Sequence, residues 1–159
     1  MSGPTYAQQM QLIVSQYQEA EQPWPATSKQ IAAWAVGKGL WRQHPSAVIS
    51  QCAEELSRAM REEYIIDGQG RSVRAKHAAR ISGGSEQIVL WADIRTAPRE
   101  HMELAFQQRR RQIVGDCRQL KVDVDSFNDN ANIGQTIQLI LDFTYDVAEL
   151  EAMDELKAG

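Results

Sequence analysis

Arg71, Arg74, Lys76 and Arg80 fall close together, and no acidic residue interrupts the chain between Gly68 and Ser85. Guanidinium and ammonium groups without local counter-charges suit one task above others, the binding of phosphate oxygens. Their spacing is periodic. In Arg71–Ile81 every second residue is Val73, Ala75, His77, Ala79 and Ile81, and between them stand Ser72, Arg74, Lys76, Ala78 and Arg80. A period of two predicts a half-buried strand with an apolar face and a cationic outer face. A second reading stays open on this segment alone: Lys and Arg also solvate the outer face of a hairpin and guard its edge.

Other residue types that could do chemistry lack the necessary spacing. Asp123-Val124-Asp125-Ser126-Phe127-Asn128-Asp129-Asn130 is acidic enough for calcium. An EF-hand loop, however, needs an oxygen ligand where Phe127 stands and a glycine where Asn128 stands. Gly37-Lys38-Gly39 and Gly68-Gln69-Gly70 do not match a dinucleotide or P-loop fingerprint. His44, His77 and His101 are isolated from one another and from Cys52 and Cys117, with no His-x₃-His or Cys-x₂-Cys pair for zinc. His77, on the apolar side of the basic strand, reads as a packed, hydrogen-bonded histidine, and His101 as a surface residue. No serine sits in a Gly-x-Ser-x-Gly elbow. The expectation is a protein that is not an enzyme, with no cofactor and no metal.

The 159 residues fit one ordinary domain, or a small domain with an oligomerisation arm. Apolar residues make up 43% and charged residues 24%, as in a soluble globular protein. Met1–Glu21 lacks the basic start and continuous apolar block of a secretory signal, and no run approaches the roughly 20 apolar residues of a membrane span. The two cysteines are far apart on helix-like apolar faces, so reduced core thiols and a cytoplasmic location are expected. The net charge of −4 is unevenly distributed. Residues 65–112 hold nine Lys/Arg against five Asp/Glu, and residues 113–159 hold three against ten. Segregation of this kind lets one region attract phosphates while the other does not.

The elements around the basic strand follow from local signals. Met10, Ile13, Val14 and Tyr17 give helical spacing over Tyr6–Glu21, after a Thr5 cap and before Pro23-Trp24-Pro25. A second helix opens on the capping box Thr27-Ser28-Lys29-Gln30 and ends at Gly37 and Gly39. A third starts near Pro45 and runs to about Tyr64, with Ile49, Cys52, Ala53, Leu56 and Met60 on one face. Asp67-Gly68-Gln69-Gly70 then turns the chain into the basic strand, and Ser82-Gly83-Gly84-Ser85 turns it again into Gln87–Ile94.

Three helices, a Gly39-Leu40-Trp41 turn before the third, and a Gly-flanked basic hairpin resemble the winged helix-turn-helix superfamily of DNA-binding domains. The resemblance covers roughly Tyr6–Ile94 and is one of layout. It implies that the helix after the turn enters the major groove and that the wing contacts the backbone or minor groove. Carried over by position, the reading helix presents Ser46, Ala47, Ser50, Gln51 and Glu54, with Arg42 and Gln43 just before it. The wing presents Arg71, Arg74, Lys76 and Arg80. The turn region from Gly39 to Pro45 is longer than that layout, and the third helix carries Glu54, Glu55, Glu62 and Glu63 against Arg58 and Arg61. An acidic helix shifts phosphate binding onto the wing.

After the wing, Thr96-Ala97-Pro98 opens the longest helical pattern. Phe106, Ile113, Cys117, Leu120, Val124 and Phe127 form a stripe that becomes a heptad seam past Arg110. One helix from Pro98 to Asn128 would span about 46 Å, and self-association is the natural way to cover its stripe. The other course is a bend near Gly115 that packs the helix back on its own domain. The triplet Arg109-Arg110-Arg111 either adds phosphate contacts or forms a solvated face. Beyond Asn128–Asn132 and Gly134, Ile137–Phe143 alternates as a strand would. Its Gln138-Leu139-Ile140-Leu141-Asp142-Phe143 also resembles the hexapeptide by which bacterial replication and repair proteins bind the sliding clamp, with Gln138, Leu139, Leu141 and Phe143 at the matched positions. Thr144–Leu156 reads as a short acidic helix.

The expected fold is mainly α with a small antiparallel β-hairpin, an α+β chain. It comprises a winged helix-turn-helix domain over 1–95, a long helix and dimerisation arm over 96–130, and an acidic C-terminal tail over 131–159. The expected function is a homodimer on double-stranded DNA, a transcriptional regulator or a factor of replication or a mobile element. The alternative is a protein–protein adaptor on a winged-helix scaffold, docking a sliding clamp through its tail.

Overall fold

Thr5 and Thr27 begin the first two helices in the same way. Each hydroxyl accepts the N–H three residues on, from Gln8 at 3.1 Å and from Gln30 at 3.0 Å. Each glutamine side chain returns the favour to the threonine N–H at 2.8 Å. These reciprocal boxes satisfy two otherwise orphaned donors at the starts of α1 (Tyr6–Glu19) and α2 (Ser28–Gly37). The chain is seen in a computed structural model that describes residues 2–158. It divides into two compact units, Met1–Arg58 and Ala59–Gly159.

In the first unit Ile13 and Tyr17 of α1 and Ala35 of α2 are buried. Tyr17 sets its ring edge-on to Trp34 with centroids 5.5 Å apart, an arrangement favoured by the ring quadrupoles. Its hydroxyl donates to the Pro23 carbonyl at 2.9 Å. Gly39 takes φ +70° just past α2, a conformation glycine adopts without strain. A 3₁₀ turn, Pro45–Ala47, leads into α3 (Val48–Arg61). The apolar face expected over Ile49, Cys52, Ala53, Leu56 and Met60 is present but uncovered: α3 has no buried residue, and Ile49 is 80% exposed.

The second unit begins with the last turn of α3. The helix stops at Arg61 rather than near Tyr64, because Tyr64–Ile66 is a strand, β1. The expected single strand over Arg71–Ile81 is two strands, β2 (Ser72–Arg74) and β3 (Lys76–Gly83). β1 pairs antiparallel with β2, and β3 with β4 (Glu86–Asp93), so there are two hairpins where the sequence suggested one. Ala75 joins them. Its N–H donates to the Glu63 carbonyl at 3.0 Å and its carbonyl accepts from Ile94 at 2.8 Å, so its backbone links both ladders. At 0% exposure it has no room for a larger side chain.

The alternation nonetheless holds across the join. Ala75, His77 and Ala79 are buried, while Ser72 and Arg80 are exposed. Burial fades toward the tip, where Ile81 is exposed. Gly84 has φ +69° at the first position of the two-residue Gly84-Ser85 turn, where hairpins of this kind call for glycine.

α4 (Arg99–Asn130) runs unbroken through Gly115 and, at 32 residues, is about 48 Å long. Its first turns pack on β3 through buried Ala105. Gln108 binds both backbone groups of Arg80, accepting its N–H at 2.7 Å and donating to its carbonyl at 2.8 Å, as a neighbouring strand would. Beyond it, Ile113, Leu120 and Phe127 are exposed. An irregular segment then leads to α5 (Thr144–Ala158). The result is a mixed α/β chain, mainly helical, with two small antiparallel hairpins among the described residues. No helix of those residues is long and apolar enough to cross a membrane.

Candidate nucleic-acid interface

The four wing cations divide into two kinds. Arg71 is tied to the turn before it: Asp67 Oδ2 accepts from its Nε at 2.7 Å, and Oδ1 accepts from its backbone N–H at 2.8 Å. Lys76 lies between two carboxylates, Glu63 and Asp93, at 3.1 Å from each. The acids missing from the local sequence are supplied by β4 and by the residues on either side of β1. Arg74 and Arg80 have no bonded carboxylate among the described residues. Phosphate-binding capacity on this face therefore rests on Arg74 and Arg80, with Arg71 and Lys76 engaged in holding the hairpins.

The ionic cluster at the base of the hairpins sets a pH dependence. The Arg95 guanidinium and backbone N–H, with help from Lys76, hold the Asp93 carboxyl well below the ordinary carboxylate range. Arg71 holds Asp67 low in the same way, chiefly through its backbone N–H. Glu63 and then Asp93 push the Lys76 ammonium up. Depressed carboxylates stabilise the fold above the unfolded-state value and lose that contribution as pH falls through the folded one. The hairpin unit is therefore expected to lose stability progressively below about pH 4. Trp91, on β4 beneath the Arg61 guanidinium at 5.8 Å, is a fluorescent reporter of it. Asp93→Asn should lower the stability at neutral pH and flatten the acid limb; an unchanged limb would mean that Asp93 does not carry the effect.

Between the hairpins and α4 lies a cleft of about 370 Å³ that contains Arg74. Arg109 enters it from α4, and Val73, Ile94 and Phe106 supply apolar wall. No carboxylate lines it. Burial, and then the neighbouring Arg74 charge, lower the proton affinity of the Arg109 guanidinium. His77 forms part of the wall, edge-on to Phe106 at 5.4 Å. Its Nε2–H donates to the Arg74 carbonyl at 2.9 Å, which fixes that nitrogen as the protonated one because a carbonyl only accepts. His101, expected at the surface, is half-buried and donates from Nε2 to the His77 carbonyl at 2.9 Å. Its neighbours Glu100 and Glu103 suggested solvent; the contact with β3 comes from the other side of α4.

The remaining sequence-derived candidates lie in separate places. Arg42, Gln43, Ser46, Ser50 and Gln51 are all exposed around the start of α3, in the first unit. Gln43 donates to the Gln51 side chain, and the His44 ring accepts from the Ser46 N–H at 3.3 Å. On α4, Phe106 also lines the cleft. Cys117 and Val124 are half-buried, and Ile113, Leu120 and Phe127 are about half exposed.

Gln138, Leu139, Leu141 and Phe143 lie in the irregular segment, which forms no strand. It is pinned at Ile137 by Asn128, whose side chain accepts the Ile137 N–H at 3.0 Å and donates to its carbonyl at 2.8 Å. Asp142 then receives the Thr144 N–H and hydroxyl where α5 begins, and the N–H in particular holds its carboxyl low. Cys52 and Cys117 are free thiols, but Cys52, expected in the core, is exposed because nothing covers its face of α3, and Cys117 is half-buried. No three His, Cys, Asp or Glu side chains gather as a metal site among the described residues.

No protein-family model, curated protein or solved structure matches this chain.

Proposed function

We propose that the chain is a non-enzymatic, homodimeric DNA-binding protein of the winged helix-turn-helix kind, acting in transcription, replication or a mobile element. The observation that carries this reading is the pair Arg74 and Arg80, two guanidiniums on adjoining strands of one unit with no carboxylate bonded to them among the described residues. Support also comes from the order of elements, three helices followed by basic hairpins, and from the exposure of Ser46, Ser50 and Gln51 at the start of α3. A second copy of the chain would cover the apolar stripe of α4 beyond Ile113 and hold two DNA-binding domains at one separation.

Selection of the full chain on randomised duplexes tests the reading. Enrichment of two copies of one short sequence, related by a dyad, is expected; no enriched sequence would contradict site-specific binding. Gln51→Ala should relax the preference at one position per half-site while leaving non-specific affinity nearly intact, because glutamine reads adenine in the major groove through two hydrogen bonds. Identical preferences in the variant would exclude α3 as the reading helix.

One observation favours the adaptor reading for the C-terminal region. Gln138–Phe143 is irregular rather than helical or paired, and Leu139, Ile140 and Phe143 are exposed, which suits docking of an extended peptide in a partner's groove. Binding of the full chain to a sliding clamp, lost on Leu141→Ala with Phe143→Ala, would establish it; no binding by the unmodified chain would remove it.

A further inference from the structure

Arg74 on β2 and Arg109 on α4 reach one cleft from two elements, and neither meets an acid there. Two like charges that share a partly apolar cleft repel each other, and partial burial costs Arg109 hydration. Their strain is relieved by water, by a counter-ion or by a ligand. The walls restrict the choice. The cleft offers Ser72, the two guanidiniums and Tyr64, which lies directly across the ladder from Arg74, together with Val73, Ile94 and Phe106. A few polar groups set among aliphatic and aromatic side chains are what a small-molecule site offers.

The charge count narrows the ligand further. A carboxylate brings one negative charge and would leave the guanidinium pair half balanced. A phosphate monoester carries nearly two near neutral pH and three acceptor oxygens, enough for both guanidiniums and the Ser72 hydroxyl together. The apolar walls then call for a flat, weakly polar body on the ester. Phe106 is held for this role by the edge-on contact with His77, whose ring is itself fixed by the Arg74 carbonyl.

We propose that this cleft binds a small phosphate monoester with a planar ring, of the nucleoside monophosphate class, at Arg74, Arg109 and Ser72. The site goes beyond duplex binding and does not depend on it, since Arg109 lines the cleft and Arg80 does not.

Calorimetric titration of the full chain tests it, with adenosine monophosphate, adenosine, benzoate and inorganic phosphate as probes. The monophosphate should bind at least tenfold more tightly than each of the other three. Arg109→Gln should weaken it at least tenfold with an unchanged circular dichroism spectrum. Arg109→Lys, which keeps the charge, should recover part of the loss, and Arg111→Gln, outside the cleft on the same helix, should change nothing. Absence of monophosphate binding, or equal losses in the Arg109 and Arg111 variants, overturns the proposal. Duplex affinity of Arg109→Gln separates it from the DNA reading. Monophosphate binding lost with duplex binding kept supports a separate site; duplex binding lost with no monophosphate binding in the unmodified chain makes the cleft a contact for the DNA backbone and overturns the proposal.

Discussion

Leu120→Asp is expected to convert a dimer into monomers at micromolar concentration. Ile113, Leu120 and Phe127 are exposed along one stripe of α4, beyond the turns that pack on β3. Each would contribute roughly 1.5–3 kcal/mol if fully buried against a partner. Left in water, the stripe is long enough to drive association of some kind. A carboxylate at its centre cannot be buried without a partner of its own, and several kcal/mol oppose it. Because Leu120 is 45% exposed and lies well beyond Gln108, whose side chain bonds β3, the variant should keep its circular dichroism spectrum and hairpin stability. Duplex affinity should fall through loss of bivalency, by a factor set by how well two half-sites are spanned at once. Light scattering reads the result: a variant of unchanged mass would place the interface elsewhere.

The second large effect belongs to the free cations of the hairpins. Replacing Arg74 and Arg80 together by glutamine should reduce the dependence of log affinity on log salt by about one unit per lost phosphate contact, and so by about two. At 0.1 M salt the same loss amounts to roughly a hundredfold in affinity. Lys76→Gln should behave differently. The ammonium is already tied to Glu63 and Asp93, so its removal leaves Glu63 without a partner and Asp93 with Arg95 alone, and it acts first on stability. An equal fall in salt dependence for Lys76→Gln and for Arg74→Gln would mean that the ion pairs open on DNA.

The contrast between these cations shows what the sequence could and could not disclose. Alternation along Val73–Ile81 identified the buried positions Ala75, His77 and Ala79, because the pleat puts every second side chain on one face whatever the pairing partner. It did not disclose that Arg71 and Lys76 are paired, since Glu63 and Asp93 reach Lys76 from other elements. The Thr5 and Thr27 caps were legible because a capping box lies within four residues. β1 was not: three residues following a helix carry too little periodicity to distinguish a strand from a last helical turn. His101 and Gln108 were missed for a related reason. Both are polar residues on a helix, and only the packing of α4 on β3 turns them into donors to the strand backbone. Arg109 stood in a triplet of arginines with nothing local to set it apart; entry into the Arg74 cleft is a property of the helix's rotation.

The most direct measurement is the affinity of the unmodified chain for a random-sequence duplex between 50 and 200 mM salt. A dimer that places free guanidiniums on phosphates binds at the low end, with log affinity falling linearly against log salt at a slope of at least about −2. A folded protein with no measurable duplex binding at 50 mM, or with affinity independent of salt, contradicts DNA binding.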